Sequence, residues 1–504
     1  MSITLADALR DAARETPDRI LVRDDVGTLA CAELLYQATT LAHALTSRTP
    51  AGSVVSFMLP NWREAAVIYL GATLAGMVVN PILPSLRDHE LAFILADADT
   101  RAVFIPHTFG GYDYAAMLDR VLPGLPASPE VIVVRGDPGG HTDFGDLFTG
   151  TAAGTLPPLD CAATRMILYT SGTTGRPKGV LHSHDSLHAL ITQLGTHWRI
   201  DAGDTFLVPS PIAHIGGSIY AFECPLLLGT EAVLMQRWDP DAAVAHMLEH
   251  RCTHMAGATP FLTGLLAAAE RAGTRLPDLK VFICGGASVP PSLIRRAAGY
   301  FDRALVTRVY GSTEVPVSTV GSLGDVDRGA DTDGRPGSAD IILVDGEIRA
   351  RGPQMLTGYL HTEDNHQSFD EAGYFRTGDL GRWTDDGYLV VTGRAKDIII
   401  RNGENISPKE VEDILVTHPQ IAEIAIVGIP DPRTGERACA AIVPAADSLP
   451  DTVALQEFLT DRGVAKFKAP EQVVLVDALP KNDAGKVLKH QIKALLTGLQ
   501  KDRS

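Results

Sequence analysis

The chain has 504 residues, 45% hydrophobic and 21% charged, with 44 Lys and Arg against 61 Asp and Glu and a formal net charge of −17. That length exceeds a single core of about 100–200 residues and calls for at least two domains, and the apolar content is that of a folding chain rather than a disordered one. The acidic balance argues against a surface that tracks a nucleic-acid backbone, which needs clustered Lys and Arg.

Cys31, Cys161, Cys224, Cys252, Cys284 and Cys439 are dispersed without a C-x-x-C pair. They suggest neither a zinc site nor a disulfide framework, and a reducing, cytoplasmic location is expected. Residues 1–17 mix acids and arginines with apolar residues, unlike a signal peptide, and no apolar run reaches the roughly 20 residues of a membrane span.

From about Leu29 to residue 350, short β-branched runs alternate with helical periods, as in "SVVSFML" (53–59) followed by "NWREAAVIYLGATLAG" (61–76). Such alternation predicts a parallel α/β sheet whose ligands bind beyond the carboxyl ends of strands. Three strand ends carry small or hydroxyl residues: "RMILYT" (165–170) before "SGTTGRPKGV", "VFIC" (281–284) before "GGASVPP", and "TRVY" (307–310) before "GSTE". If these strands are neighbours, their loops share one mouth. The texture changes after "GYLVVTG" (387–393). Ser407, Pro408 and Glu410 predict a capped helix start, and Val411, Ile414 and Leu415 its apolar stripe. The strand "IAEIAIVGI", the helix "TVALQEFLTDR", the strand "QVVLV" and a helix near 487–498 complete a small α+β domain. The expected division is 1–394 and 395–504.

The segment "YTSGTTGRPKGV" (169–180) has the chemistry of a phosphate cradle. Gly172 and Gly175 let backbone N–H groups approach phosphate oxygens, Thr170, Ser171, Thr173 and Thr174 add hydroxyl donors, and Lys178 adds a compact positive charge. It fits no register of the Walker pattern.

With "PIAHIGG" (211–217), "YGSTE" (310–314), "YFRTGDLG" (374–381), "GRAKDIIIRNGENISPKEVE" (393–412) and "PKNDAGK" (480–486), this segment gives six ordered landmarks. By them the chain resembles the adenylate-forming superfamily of acyl-CoA synthetases, nonribosomal peptide adenylation domains and firefly luciferase. The resemblance implies a large N-terminal domain of layered α/β subdomains with a small barrel-like β subdomain, and a small mobile α+β C-terminal domain. It also implies an enzyme that uses ATP, Mg2+ and coenzyme A: a carboxylic acid becomes an acyl-adenylate and then an acyl-CoA thioester, releasing pyrophosphate and AMP. The partners are these small molecules, with the chain a monomer or a homodimer.

On this resemblance Tyr310 and the Gly285–Gly286–Ala287 turn flank the adenine, with Gly311 and Ser312 in the same nucleotide-binding loop. Thr313 donates a hydroxyl and Glu314 supplies an oxygen to magnesium. Asp379 takes the ribose hydroxyls and Arg394 meets ribose or phosphate oxygens. Lys486 bridges the substrate carboxylate and α-phosphate, and Thr170 belongs to the catalytic set. His214 gates the thiol path and lines an acyl pocket with Ile215, Ala258, Thr259 and Pro260. Lys396 is the pivot of a domain rotation that turns Gly403, Glu404 and Asn405 toward CoA.

An amino-acid-activating module would carry an acid for the substrate ammonium in "PIAHIGGSIYAF", where none occurs before Glu223. The short stretch after "PKNDAGK" leaves no room for a carrier domain. A medium-chain, alicyclic or aromatic acid with an uncharged acyl chain, delivered to free CoA, is therefore expected. The alternatives are an acyl-AMP ligase serving a separate carrier protein, a luciferase-like oxidation, and an inactive nucleotide-binding regulator, which would be expected to lack Lys486 or Glu314. One departure from the family is a hairpin closed directly by "VDGE" (344–347).

Overall fold

The computed structural model describes every residue except 1–2, 150–153, 172–175, 287–288, 446–449, 483–484 and 502–504. The α/β alternation forms two large sheets. The eight-stranded sheet runs, in spatial order, Gly358–Tyr359, Pro177–Ser183, Thr164–Ser171, Val78–Pro81, Val54–Phe57, Thr100–Pro106, Glu130–Arg135, Thr142–Asp143. The seven-stranded sheet runs Leu305–Arg308, Val281–Cys284, His254–Gly257, Thr205–Val208, Glu231–Leu234, Ile20–Arg23, Thr28–Ala30, parallel up to its last pair.

The largest core fills the space between these sheets, joining Val55, Phe57, Phe104 and Leu168 of one to Phe206, Val208 and Ile283 of the other. The helix Arg63–Leu74 runs through it with every residue from 65 to 74 buried, as an α-helix apolar on all sides must be. Separate cores cover the outer faces: Phe282 and Val306 pack with Leu262 and Ile294, and Val103 and Val131 with Ile94 and Met117. The result is a layered α/β sandwich.

A four-stranded antiparallel sheet, Asp340–Val344, Glu347–Arg351, Phe375–Trp383 and Leu389–Arg394, follows. The shortened "VDGE" segment is its first hairpin. Asp345 and Gly346 have φ of 51° and 80°, the two positive values that a two-residue Asp-Gly turn requires.

Beyond Arg394 a five-stranded sheet carries helices Pro408–Leu415, Thr452–Thr460 and Lys489–Lys501. Strand alternation sends Ile424 and Ile426 to one small core with Val411 and Leu455, and Ala425, Val427 and Ile429 to the other with Ile492 and Leu496.

Strand–helix alternation leaves open whether the three loop-bearing strands are neighbours, and the structure decides it. The three loop-bearing strands do not lie side by side, because 281–284 and 305–308 are neighbours in the seven-stranded sheet while 164–171 belongs to the other. That strand is also paired antiparallel with Pro177–Ser183, with Thr170 opposite Lys178. Ser407 does stand at the helix N-cap but bonds no helix N–H; its hydroxyl donates to the Thr392 carbonyl at 2.6 Å, across the domain junction.

Candidate active site

Although they leave different sheets, the two loop systems meet. His182, on the strand Pro177–Ser183, donates from Nε2 to the Thr313 carbonyl at 2.8 Å, and Leu356 N donates to the Glu314 carbonyl at 2.7 Å. Burial pushes the His182 pKa down to about 4, so the ring is neutral at pH 7 and its Nε2 carries the proton that this bond needs. Tyr359 joins the same loops through its side chain. Its strand pairs with 177–183, its hydroxyl donates to Glu314 Oε1 at 3.1 Å, and Lys178 Nζ lies 5.2 Å above its ring. Burial, reinforced by the Glu314 charge, pushes the Tyr359 pKa up and keeps the hydroxyl a donor. Lys178 also pairs with Asp364 Oδ1 at 3.2 Å, while Arg176 takes Oδ2 at 2.8 Å.

The expected nucleotide slot begins where two neighbouring parallel strands end. A Cβ on Gly285 would stand 2.8 Å from Val309 Cγ2, and Gly286 has φ +82°, so both positions call for glycine. Tyr310 follows the adjacent strand, and its hydroxyl donates to Asp379 Oδ2 at 2.8 Å. Burial and the Asp379 charge raise the Tyr310 pKa, which keeps it protonated. Asp379 lies opposite Arg394 in the ladder, with Arg394 Nε 2.8 Å from Oδ1. Gly311, Ser312 and Thr313 lie half-buried in the same loop as Tyr310.

Lys486 reaches this group from the far end of the chain. Its N–H donates to Asn482 Oδ1 at 2.8 Å in a tight turn, and Gly485 has φ +76°. A Cβ on Gly485 would lie 3.0 Å from Pro260 Cγ and 3.6 Å from Ala258 Cβ, so the loop rests on the expected acyl-pocket segment. Burial first, and then the positive charges of Arg394 and Lys396 against the opposing charge of Asp379, bring the Lys486 pKa down to about 8.

Around the expected acyl pocket, His214 precedes the short helix Ile215–Ser218 and Ile215 is half-buried. Ala258 precedes the helix Thr259–Ala272, with Pro260 in its first turn. A π-turn over Ile219–Glu223 continues the first of these helices, and Glu223, 1% exposed, lies 2.8 Å from Arg165 Nη2 and accepts from the Tyr69 hydroxyl at 2.6 Å. The one acid of this segment is thus engaged in the core.

Lys396 is exposed in the 3-10 turn Ala395–Asp397. Gly403, Glu404 and Asn405 are exposed in a hairpin whose turn residues Asn402 and Gly403 have φ of 51° and 83°. Gly172, Thr173, Thr174, Gly175 and Ala287 lie outside the described residues, and Ser171 ends its strand.

Sequence reasoning missed Tyr359, Asp364 and His182, which belong to no landmark and gain meaning only from the pairing of 177–183 with 358–359. It also missed a surface groove of about 600 Å³ lined by Trp62, Phe109, Gly110, Gly111, Gln236 and Arg237. Arg237 sits 4.8 Å over the Phe109 ring, and the next residue, Trp238, packs edge-on against Phe261 beside Pro260.

The family comparison agrees with this geometry. The profile described as AMP-binding enzyme matches residues 9–360, and that of the AMP-binding enzyme C-terminal domain matches 410–486. The chain belongs to the AMP-binding enzyme family. This places it in the adenylate-forming superfamily that its landmarks resemble. Among its relatives, the medium-chain fatty-acid–CoA ligase of Escherichia coli is 34% identical over 97% of this chain and 90% of the relative. The salicyl-AMP ligase / salicyl-S-ArCP synthetase of Mycobacterium tuberculosis shows the same identity and coverage. ATP-bound MatB from Rhodopseudomonas palustris superposes with a TM-score of 0.87 at 28% identity, covering 98% of this chain and 99% of that one. Among the described residues no helix is long and apolar enough to cross a membrane.

Proposed function

We propose that this AMP-binding enzyme joins a medium-sized carboxylic acid with an uncharged acyl chain to coenzyme A. The observation that carries the reading is the seating of the Lys486 loop on Ala258 and Pro260, with Asp379 and Arg394 within electrostatic reach of the lysine. This is an arrangement for adenylation. A carboxylate oxygen of the acid attacks the α-phosphorus of ATP, the bond to the β-phosphate bridging oxygen breaks, and pyrophosphate leaves. Lys486 stabilises the charge gathering between carboxylate and α-phosphate. Asp379 accepts from the ribose hydroxyls, Tyr310 lies along the adenine, and Lys178 trades Asp364 for phosphate oxygens. Glu314, an oxygen donor steadied by Tyr359, fits a magnesium ion, which on ATP would offset phosphate charge.

In the second step the CoA thiolate attacks the acyl carbonyl and AMP departs with the bonding electron pair. We assign residues 395–504 to a lid that turns about Lys396, withdrawing Lys486 and bringing Gly403, Glu404 and Asn405 to the pantetheine. The Trp62–Phe109–Arg237 groove, with aromatic faces and a guanidinium near the acyl pocket, suits the nucleotide end of CoA.

Glu223, held in the core by Arg165, supports an acid without an ammonium group. Resemblance to the Escherichia coli ligase supports CoA as acceptor, while resemblance to the mycobacterial salicyl-AMP ligase keeps a carrier protein as the second reading. The test is incubation with ATP, magnesium, CoA and a panel of straight-chain, alicyclic and aromatic acids. AMP, pyrophosphate and an acyl-CoA are expected. Accumulation of acyl-adenylate without thioester would transfer the proposal to a carrier protein, and ADP as the nucleotide product would overturn the adenylate mechanism.

A further inference from the structure

The cysteines offer no metal site, but the histidines do. The helix Pro240–Glu249 ends in "HMLEH", which places His246, Glu249 and His250 at i, i+3 and i+4, on one face. One ligand atom from each of the three lies within 4.8 Å of the other two. The rings of His246 and His250 stand nearly parallel, 17° apart in tilt with centroids 5.8 Å apart. A fourth group comes from another element. Asp25, in the turn between strands Ile20–Arg23 and Thr28–Ala30, has Oδ1 3.8 Å from His246 Nε2, too long for a hydrogen bond. Its Oδ2 accepts from Gln236 at 3.0 Å, which fixes the carboxylate. His246 Nδ1 is buried without a hydrogen-bond partner.

We propose that His246, His250, Glu249 and Asp25 form a site for a borderline divalent cation, zinc above all, separate from the adenylating centre. Two imidazoles with two carboxylates suit zinc, and a tetrahedral set at about 2.0–2.2 Å from the ion has its ligand atoms roughly 3.3 Å apart. Glu249 and Asp25 are 70% and 48% exposed, and closing the site would require their side chains to move inward, Asp25 keeping or giving up its bond from Gln236. The helix end helps as well. His250 is the C-cap, so the cation would sit at the negative pole of the helix dipole. Arg23, whose charge reaches His250, is paired with Glu231 at 2.9 Å. The ion would clamp the end of this helix to the turn at Asp25, fixing a corner of the seven-stranded sheet.

The test titrates the full-length protein, without ATP, with Co2+ followed by visible absorption and with Zn2+ followed by calorimetry. One equivalent should bind in a tetrahedral field and raise the melting temperature. Loss of one imidazole should weaken binding at least about 10-fold, since even outer-shell changes cost about that much. His246→Ala and His250→Ala should each show this loss, Asp25→Asn a smaller one, and the double variant His246→Ala/His250→Ala should take up no tight equivalent while still folding by circular dichroism. If the double variant binds Zn2+ as tightly and gains as much thermal stability as the unaltered protein, the site is not there and the proposal falls.

Discussion

Asp379 and Arg394 face each other across an antiparallel ladder, with Arg394 Nε 2.8 Å from Asp379 Oδ1 while the Tyr310 hydroxyl holds the second oxygen. One carboxylate thus ties Tyr310 to the strand that ends at Arg394. Asp379→Ala is expected to weaken ATP binding by about 1.5–3 kcal/mol and to slow both half-reactions, because the part-buried Tyr310 hydroxyl loses its acceptor as the ribose loses its own. Calorimetric ATP affinity and turnover equal to those of the unaltered enzyme would remove Asp379 from the nucleotide site.

Lys486 and Lys396 should separate the two steps. Lys486→Ala is expected to abolish pyrophosphate exchange yet convert supplied acyl-adenylate and CoA to thioester. Lys396→Pro should preserve exchange and depress thioester formation, because the residue sits in a 3-10 turn, 3-10 turns generally have φ close to that of proline, and a fixed φ would hinder rotation about this position. Equal loss of both steps in both variants would mean that one fixed arrangement performs both reactions.

The Lys486 ammonium should give adenylation a basic limb. Its pKa in the free enzyme is pulled down from 10.5 to about 8, and only the protonated form stabilises the developing charge. The sign follows: kcat/KM for pyrophosphate exchange should hold below pH 8 and fall as pH rises through it, since that ratio reports groups of the free enzyme. At saturating ATP the added negative charge raises the lysine pKa, and the limb should move to higher pH. A limb that does not move with ATP saturation would assign the titration to another group.

Glu223→Gln keeps the shape of its side chain but leaves Arg165, 2% exposed, without its counter-charge. Breaking one partner of such a buried pair costs about 3–5 kcal/mol, so a clear fall in melting temperature is expected, with the acid preference unchanged. A gain of activity toward amino acids, or a shift in preference among neutral acids, would show that Glu223 faces the substrate after all.

Arg237→Ala should raise the KM for CoA while leaving pyrophosphate exchange untouched, as expected of a groove that acts only in the second step. An equal loss of exchange would place Arg237 elsewhere in the mechanism.

Much of this site was legible because its residues sit in local strings whose chemistry does not depend on the rest of the chain. Gly285 and Gly286 are glycines because the backbone leaves them no alternative, and Asp379 and Arg394 come from separate landmarks that a single ladder brings face to face. What stayed hidden depends on partners distant in sequence. The pairing of 177–183 with 358–359 brings Tyr359 to Glu314 and Asp364 to Lys178, and nothing in "TGYLHTED" announces it. Ser407 shows the limit of local reasoning: the residue types predict an N-cap, and the position is one, but the nearby Thr392 carbonyl takes the hydroxyl instead. Whether the three loop-bearing strands adjoin was hidden for a similar reason, since strand–helix alternation does not reveal which of two sheets a strand joins.

The Ser407 hydroxyl bonded to the Thr392 carbonyl gives the junction the character of a latch. If the lid turns as proposed, this bond must open in each catalytic cycle. A single neutral hydrogen bond contributes about 1 kcal/mol, roughly a factor of five in an equilibrium. That is enough to bias the resting enzyme toward the arrangement that meets ATP first, and too little to hold the lid once acyl-adenylate has formed. The hydroxyl that helix-capping rules would spend on a local N–H instead joins the two sides of the junction, in a bond that the proposed rotation would have to break.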